Sequence, residues 1–181
     1  MYPHIGFDEM HFIDYFDQTK ILREYITDQE LYDKIIRRYE NRKNNEKLFF
    51  MGITMQNHGG YTETYDNFPE NYYKVGRSYT DANQYLSLVH ESDEAVKNLI
   101  SYFSKVDDPV EIIFFGDHQP SLNSNFYPIL NGKGLTGLTE DELEKLYTVP
   151  FFIWTNYDTP EETVDITSLD YLSTMALERA G

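Results

Sequence analysis

The sequence predicts an α/β fold with a mainly parallel sheet flanked by helices. Short apolar runs alternate with stretches of helical periodicity along the 181 residues. Residues 48–55 and 112–115 are almost wholly apolar, as expected for strands that are buried on both faces of a parallel sheet. A third apolar run, residues 151–154, follows Pro150. Strands of this kind alternating with helices are typical of layered α/β domains.

Helix starts and apolar spacing predict the first two helices. Thr27 and Glu30 have the spacing of a capping box, and apolar residues follow at helical intervals, so a helix is predicted over residues 28–43. Residues 41–47 are polar and indicate a loop. Thr80 is expected to cap a second helix of about 25 residues that ends before Asp107-Asp108-Pro109. Its apolar stripe consists of Val96, Leu99, Ile100 and Phe103.

Two further helices are predicted towards the C-terminus. Thr139 and Glu142 form a second capping-box pattern, which predicts a short helix over residues 140–147. Thr167 or Ser168 is expected to cap a last helix. Residues 56–78 and 121–138 are rich in Gly and Asn and are predicted to be loops, and long loops in compact domains are often functional.

Composition excludes several classes of function. The 31 acidic residues outnumber the 15 basic ones, for a net charge of -16, which argues against a nucleic-acid partner. The chain has no cysteine, so disulfides, cysteine-based zinc sites and thiol nucleophiles are absent. No apolar run approaches the roughly 20 residues of a membrane span, and the chain as given is expected to be soluble.

Polar residues follow two of the predicted strands and predict a site at one edge of the sheet. His58 comes shortly after residues 48–55, and Asp117-His118 follows residues 112–115 and Gly116. Ligands of open α/β sheets bind at the carboxyl ends of strands, so these side chains are expected on the same rim. An oxygen donor beside an imidazole nitrogen suits zinc or manganese.

Each candidate also has a plain structural interpretation. An Asp-His dipeptide can cap a turn, and a histidine before two glycines can be incidental to a flexible loop. Arg77 could grip a phosphate through its guanidinium fork, or it could pair with one of the many acids. Tyr61, Tyr65, Tyr72 and Tyr73 could line a sugar- or glycerol-binding cleft, or they could form a packed aromatic loop.

The order of these features resembles the second half of the sulfatase/alkaline phosphatase superfamily. The resemblance is closest to its lipoteichoic acid synthase branch, which consists of phosphoglycerol transferases. It covers nearly the whole chain, and its most specific part is Gly-Asp-His after a strand. The quoted segments are residues 2–8 (YPHIGFD), Asn57-His58, residues 79–82 (YTDA), residues 116–118 (GDH), residues 149–153 (VPFFI) and residues 168–175 (SLDYLSTM).

The resemblance implies a chemistry and a location. Asp117 and His118 match the family's C-terminal pair of metal ligands, and His58 matches the histidine that binds the substrate phosphate. The family uses a divalent metal, commonly manganese or magnesium, with a threonine nucleophile, and the donor types of Asp117 and His118 leave zinc open. It transfers phosphoglycerol from phosphatidylglycerol to a growing polymer outside the cell. The implied partners are therefore a phospholipid head group or an anionic glycopolymer, at the extracellular face of a membrane-anchored parent.

Residues 1–181 are expected to form the C-terminal part of such a catalytic domain. The family's nucleophile, an acidic metal ligand and the substrate-binding Trp and Arg are all expected upstream of Met1. Two protein ligands make a poor metal site, so weak metal affinity and no turnover are expected of this chain alone. Gln119-Pro120 departs from the family's usual residues after Gly-Asp-His, which leaves the substrate open. The alternatives are a sulfatase, phosphodiesterase or phosphoethanolamine transferase relative, and a non-catalytic α/β binding module.

Overall fold

Helices and short strands alternate along residues 2–68 and 79–180, which are the residues that the computed structural model describes. In chain order the elements are β1 (Ile21–Leu22), β2 (Tyr25–Ile26), α1 (Asp28–Glu40), α2 (Thr80–Phe103), β3 (Glu111–Phe115), α3 (Tyr127–Asn131), α4 (Glu140–Glu144), β4 (Phe151–Thr155) and α5 (Leu172–Ala180). Short 3-10 turns lie at Tyr2–Ile5, Ile13–Tyr15, Leu135–Gly137 and Leu169–Tyr171.

The main core lies between α1, α2 and the β3–β4 pair. Tyr32 of α1 is buried against the apolar stripe of α2, in which Val96, Leu99 and Phe103 are buried and Ile100 is half-buried. Aromatic and aliphatic side chains of β3 and β4 cover the other side of this cluster, among them Phe114 and Phe152, which stack at 5.3 Å. The stripe predicted for the second helix is therefore a core face.

The two predicted capping boxes differ in how completely they form. At α4 both halves are present: the Thr139 side chain accepts from the Glu142 amide, and the Glu142 carboxylate accepts from the Thr139 amide. At α1 the Thr27 hydroxyl accepts from the Glu30 amide at 3.2 Å, whereas the Glu30 carboxylate accepts instead from the Asp17 amide. Glu30 thus ties the N-terminal segment to the start of the helix.

Strand direction corrects the expectation of a mainly parallel sheet within the described residues. Strands β3 and β4 pair antiparallel, with Ile113 opposite Ile153, and β1 and β2 form an antiparallel hairpin. A long connection allows the next strand to enter the sheet from either end. Alternation of strands and helices along a sequence therefore does not determine strand direction. The α/β class is confirmed, and the antiparallel direction of these two pairs departs from the mainly parallel sheet that the sequence predicts.

The buried strand predicted for residues 48–55 is a second correction. These residues form no strand in the described part of the chain. One face lies on α1, where a side chain at Gly52 would meet Leu31. The other face is open, with Phe49 79% and Ile53 57% exposed. An apolar run needs a neighbouring strand to form a ladder, and none of the described residues supplies one.

Several element boundaries also differ from the predictions. Helix α1 ends at Glu40, α2 at Phe103 and α4 at Glu144, each a few residues early. Tyr79, not Thr80, precedes α2, and its side chain makes no capping bond. The predicted loop over residues 121–138 contains α3 and a 3-10 turn, and Ser168 caps the turn that leads into α5. Among the described residues no helix combines the length and apolar character needed to cross a bilayer.

Candidate functional site

In the loop after residues 48–55 the His58 ring is exposed to solvent, whereas the start of the loop is buried. Gln56 is 2% exposed, Asn57 is half-buried and His58 is exposed. A turn closes there, since the His58 amide donates to the Met55 carbonyl at 3.0 Å. Gly60 follows with φ +96°, a conformation that favours glycine. The loop therefore turns sharply and leaves the imidazole available to a ligand.

Tyr25, at the start of β2, contacts the His58 ring directly. Its hydroxyl lies 3.1 Å from His58 Nδ1, and the two ring centroids are 5.5 Å apart. When the hydroxyl donates, Nδ1 accepts and the ring proton of a neutral imidazole sits on Nε2. His58 Nε2 is then a hydrogen-bond donor suited to a phosphate oxygen.

Arg23 lies in the β1–β2 turn and binds the main chain of the His58 loop. The residue is 5% exposed, yet none of the described acidic side chains forms an ion pair with it. Its Nη2 donates to the carbonyls of Gln56 at 3.2 Å and His58 at 2.6 Å. Its Nη1 donates to the Gly60 carbonyl at 3.1 Å and to Gln84 Oε1 at 3.0 Å.

A buried polar network supports the same loop from beneath. The Asp28 carboxylate accepts from the Ser92 hydroxyl at 2.5 Å, and Ser92 in turn accepts from the Asn57 amide at 2.9 Å. The Asp28 amide donates to Gln56 Oε1 at 3.1 Å. Burial raises the pKa of the Asp28 carboxyl to about 6, and the hydrogen bond from Ser92 opposes this rise. Asp28 Oδ1 has no hydrogen-bond partner among the described residues.

The end of β3 presents two metal-binding donors side by side. Asp117 Oδ2 and His118 Nε2 are 3.5 Å apart, and their side chains are 86% and 73% exposed. The His118 amide donates to Asp117 Oδ1 at 2.9 Å, which fixes the carboxylate. His118 Nδ1 lies 2.9 Å from the Gln119 carbonyl, which can only accept, so Nδ1 carries the proton. Nε2 is therefore left with a free lone pair.

This donor set fits half of a divalent metal site. A carboxylate oxygen and an imidazole nitrogen with its other nitrogen held by a carbonyl are the usual ligands of zinc and manganese. Within residues 2–68 and 79–180, however, no group of three or more His, Cys, Asp or Glu is arranged to hold a metal. The chain supplies two neighbouring ligands, and a tight site needs more from elsewhere.

At Gly116 the backbone passes close to that of Val149 and Pro150, which leaves little room for a side chain. Its amide donates to the Pro150 carbonyl at 3.2 Å, and a Cβ built on it would lie 3.1 Å from Val149 Cβ. Because that neighbour is attached directly to the backbone, it has little room to move. We expect Gly116→Ala to destabilise the fold by about 1–3 kcal/mol, the usual range for overpacking.

Urea unfolding measures this effect, with Gly134→Ala as the matched control. A Cβ at Gly134 meets nothing within 4 Å, and the backbone φ there is -69°. The control is therefore expected to leave the unfolding midpoint unchanged or to raise it slightly. Equal midpoints for the two variants would contradict a packing role for Gly116.

An aromatic cluster joins the two loops. Tyr61 is buried with Leu88, and Leu122, a few residues beyond His118, packs against the same cluster. The Tyr61 hydroxyl donates to the Asn57 carbonyl at 2.8 Å. Burial raises the pKa of Tyr61 to about 12, with smaller contributions from Tyr85 and from the negative charge of Asp117. Tyr61 thus ties the main chain of the His58 loop to the packed cluster.

The loop after His118 is also fastened to the start of α2. The buried Asp81 carboxylate accepts a hydrogen bond from the Asn123 amide. Together with the packing of Leu122, this contact anchors the segment that follows His118 on α2. The shared rim predicted for His58 and Asp117-His118 stays a prediction, since residues 48–55 form no strand in the described part of the chain.

Some of the predicted residues are placed differently or not at all. Arg77, Tyr72 and Tyr73 lie outside the described residues. Tyr61 and Tyr65 belong to the packed cluster, which agrees with the packed-loop interpretation. Sequence reasoning missed Arg23, Tyr25 and Asp28. Asp28 could have been singled out because it directly follows the predicted helix cap Thr27. Nothing in the sequence indicated the contacts of Arg23.

The fold and this site define an α/β domain in which an exposed Asp-His pair follows β3 and an exposed histidine lies on a second loop. The sulfatase family profile matches residues 1–181, and the chain belongs to that family. Two proteins of Rhizobium meliloti are similar. A putative cyclic beta-1,2-glucan modification protein is 26% identical over all of this chain and 29% of its own length. The capsular polysaccharide biosynthesis protein RkpI is 33% identical over 67% of this chain and 21% of its own length.

A solved structure confirms the sulfatase-like fold. The Streptococcus pyogenes phosphoglycerol transferase GacH, in complex with sn-glycerol-1-phosphate, superposes with a TM-score of 0.70 over 98% of this chain at 20% identity. The chain covers 44% of that protein. It therefore spans less than half the length of each of these relatives, and its α/β architecture is that of a partial sulfatase-type domain.

Proposed function

We propose that this chain is the C-terminal part of the catalytic domain of a metal-dependent phosphoglycerol transferase of the lipoteichoic acid synthase type. The observation that supports this most is an aromatic cluster that includes Tyr61, which follows His58, and Leu122, which follows His118. One loop carries an exposed imidazole, and the other carries an oxygen and a nitrogen donor 3.5 Å apart. The nucleophile is proposed to lie in the part of the domain that precedes this chain, so the chain by itself is expected to show no turnover.

Each candidate residue has a separate role in this proposal. Asp117 Oδ2 and His118 Nε2 would hold a divalent cation, which could be manganese, magnesium or zinc. When bound, such a cation neutralises phosphate charge and lowers the pKa of a hydroxyl nucleophile. His58 Nε2 donates a hydrogen bond to a phosphate oxygen. Arg77 is a further candidate for phosphate contact, by virtue of its guanidinium fork.

The proposed substrates are those that the resemblance to phosphoglycerol transferases implies, and the relatives support the glycan among them. The donor is proposed to be a phospholipid head group and the acceptor an anionic glycopolymer. The names of the two Rhizobium proteins, a glucan modification protein and a capsular polysaccharide biosynthesis protein, favour a glycan acceptor. A reaction of this kind belongs at the extracellular face of a membrane, to which a longer parent would be anchored. The remaining half of the domain is the partner that completes the site.

Manganese binding by calorimetry tests the metal part of the proposal. We expect the chain to bind one manganese ion weakly, and the Asp117→Ala/His118→Ala variant to bind it at least tenfold more weakly, since both ligands are removed. The matched control is Asp14→Ala/His11→Ala, which removes the same two residue types from an exposed segment elsewhere. Equal affinity in all three proteins would contradict the metal role and favour a non-catalytic binding module.

A further inference from the structure

The β1–β2 hairpin makes four hydrogen bonds to the His58 loop. Its two-residue turn consists of Arg23 and Glu24, and Arg23 has φ +56°. Positive φ at the first central position of such a turn usually belongs to glycine, because a side chain is strained there. Strained residues persist where surrounding contacts over-determine them, and they cluster at functional sites.

Most of the side-chain contacts that constrain Arg23 lead to the His58 loop. Among the described residues, its guanidinium donates to the carbonyls of residues 56, 58 and 60, which lie on both sides of the imidazole, and also to Gln84 on α2. The guanidinium also lies 5.4 Å from the Tyr61 ring centroid and 5.7 Å from that of Tyr25. Arg23 is buried and has no carboxylate partner among the described residues. Its positive charge therefore lies against the main chain of His58, the proposed phosphate contact.

We propose that Arg23 and Tyr25 are positioning residues for His58. Arg23 holds the main chain of the loop through its carbonyls. The Tyr25 hydroxyl donates to Nδ1, which keeps the proton of the neutral ring on Nε2 and aims that donor outwards. The hairpin thus sets both the place and the tautomer of the imidazole. This inference rests on the proposed role of His58 as a phosphate contact.

Nitrogen-15 NMR of the imidazole tests the ring contact without any ligand. In the chain as it stands, at a pH where imidazole is neutral, we expect His58 to be protonated at Nε2 and its Nδ1 signal to show an accepted hydrogen bond. In Tyr25→Phe that Nδ1 signature is expected to disappear while the amide spectrum of the core stays the same. Tyr157→Phe, which removes a hydroxyl beside Glu111, is the matched control. A ring protonated at Nδ1, or an unchanged Nδ1 signal in Tyr25→Phe, would overturn the proposal.

Titration with sn-glycerol 1-phosphate, followed at the His58 ring, tests the consequence for binding. Tyr25→Phe is expected to weaken binding about fivefold, the equivalent of one net hydrogen bond. Arg23→Lys keeps the charge but loses the planar fork, so we expect at least a tenfold loss. Arg42→Lys, whose guanidinium contacts Asp108, is the matched control. Thermal unfolding of each variant identifies those that fold. If Arg23→Lys does not fold, Tyr25→Phe alone tests the positioning role.

The outcomes separate this inference from the proposed function. If the unaltered chain shows no response of His58 to glycerol phosphate, while Tyr25→Phe changes the Nδ1 signal, the phosphate role fails and the positioning role stands. If the unaltered chain responds and both hairpin variants bind equally well, the positioning role is overturned and the phosphate role stands.

Discussion

Replacing Asp117 or His118 by alanine is expected to lower turnover about 10³-fold or more in a longer protein that contains this chain and the rest of a sulfatase domain. A catalytic metal contributes several kcal/mol of transition-state stabilisation, and each 1.4 kcal/mol corresponds to about a tenfold change in rate. Both side chains are largely exposed, so their removal is expected to leave the fold intact. Formation of diacylglycerol, the leaving group of the transfer, from phosphatidylglycerol measures turnover.

Manganese concentration provides the control for this prediction. If His118 acts as a metal ligand, its alanine variant is expected to recover part of its turnover as manganese is raised, because weakened binding is offset by mass action. The double variant Asp14→Ala/His11→Ala is expected to keep full turnover. Unchanged turnover in the Asp117 and His118 variants would remove the catalytic metal from the proposal. Turnover lost without any rescue by manganese would point to a role other than metal binding.

The stability of the chain is expected to fall as pH rises through about 6, because Asp28 is buried. Its pKa rises from 3.8 to about 6 in the folded state, chiefly through burial. Between these two values the folded state binds more protons than the unfolded state, so stability decreases with pH. The full loss is about 3 kcal/mol, and roughly half of it falls between about pH 5 and pH 7.

Asp28→Asn isolates this effect from the other carboxyl groups. The amide oxygen can still accept from the Ser92 hydroxyl, but the side chain no longer ionises. Urea unfolding at several pH values is expected to show a smaller decrease in stability for the variant than for the original chain. Asp33→Asn on the same helix, outside this network, is the control and is expected to retain the original decrease. Parallel pH profiles for the original chain and Asp28→Asn would contradict the burial of an ionisable group here.

The sequence by itself determined the elements whose cause is local. The cap at Thr139, the start of α1 after Thr27 and the apolar stripe of α2 all depend on spacings within a few residues. Strand β3 and the Gly116-Asp117-His118 segment after it were also predictable. An apolar run that ends abruptly in glycine and polar residues indicates the end of a strand, and strand ends in α/β folds carry ligands.

Only the tertiary structure decided what depends on residues that are distant in the sequence. The antiparallel direction of β3 and β4 and the exposed state of residues 48–55 depend on which neighbours are present, and no local pattern contains that information. The same holds for Arg23, whose partners lie 33 to 61 residues away. A hydrogen bond is directional and short, so its partners can be assigned only once the chain has folded around them.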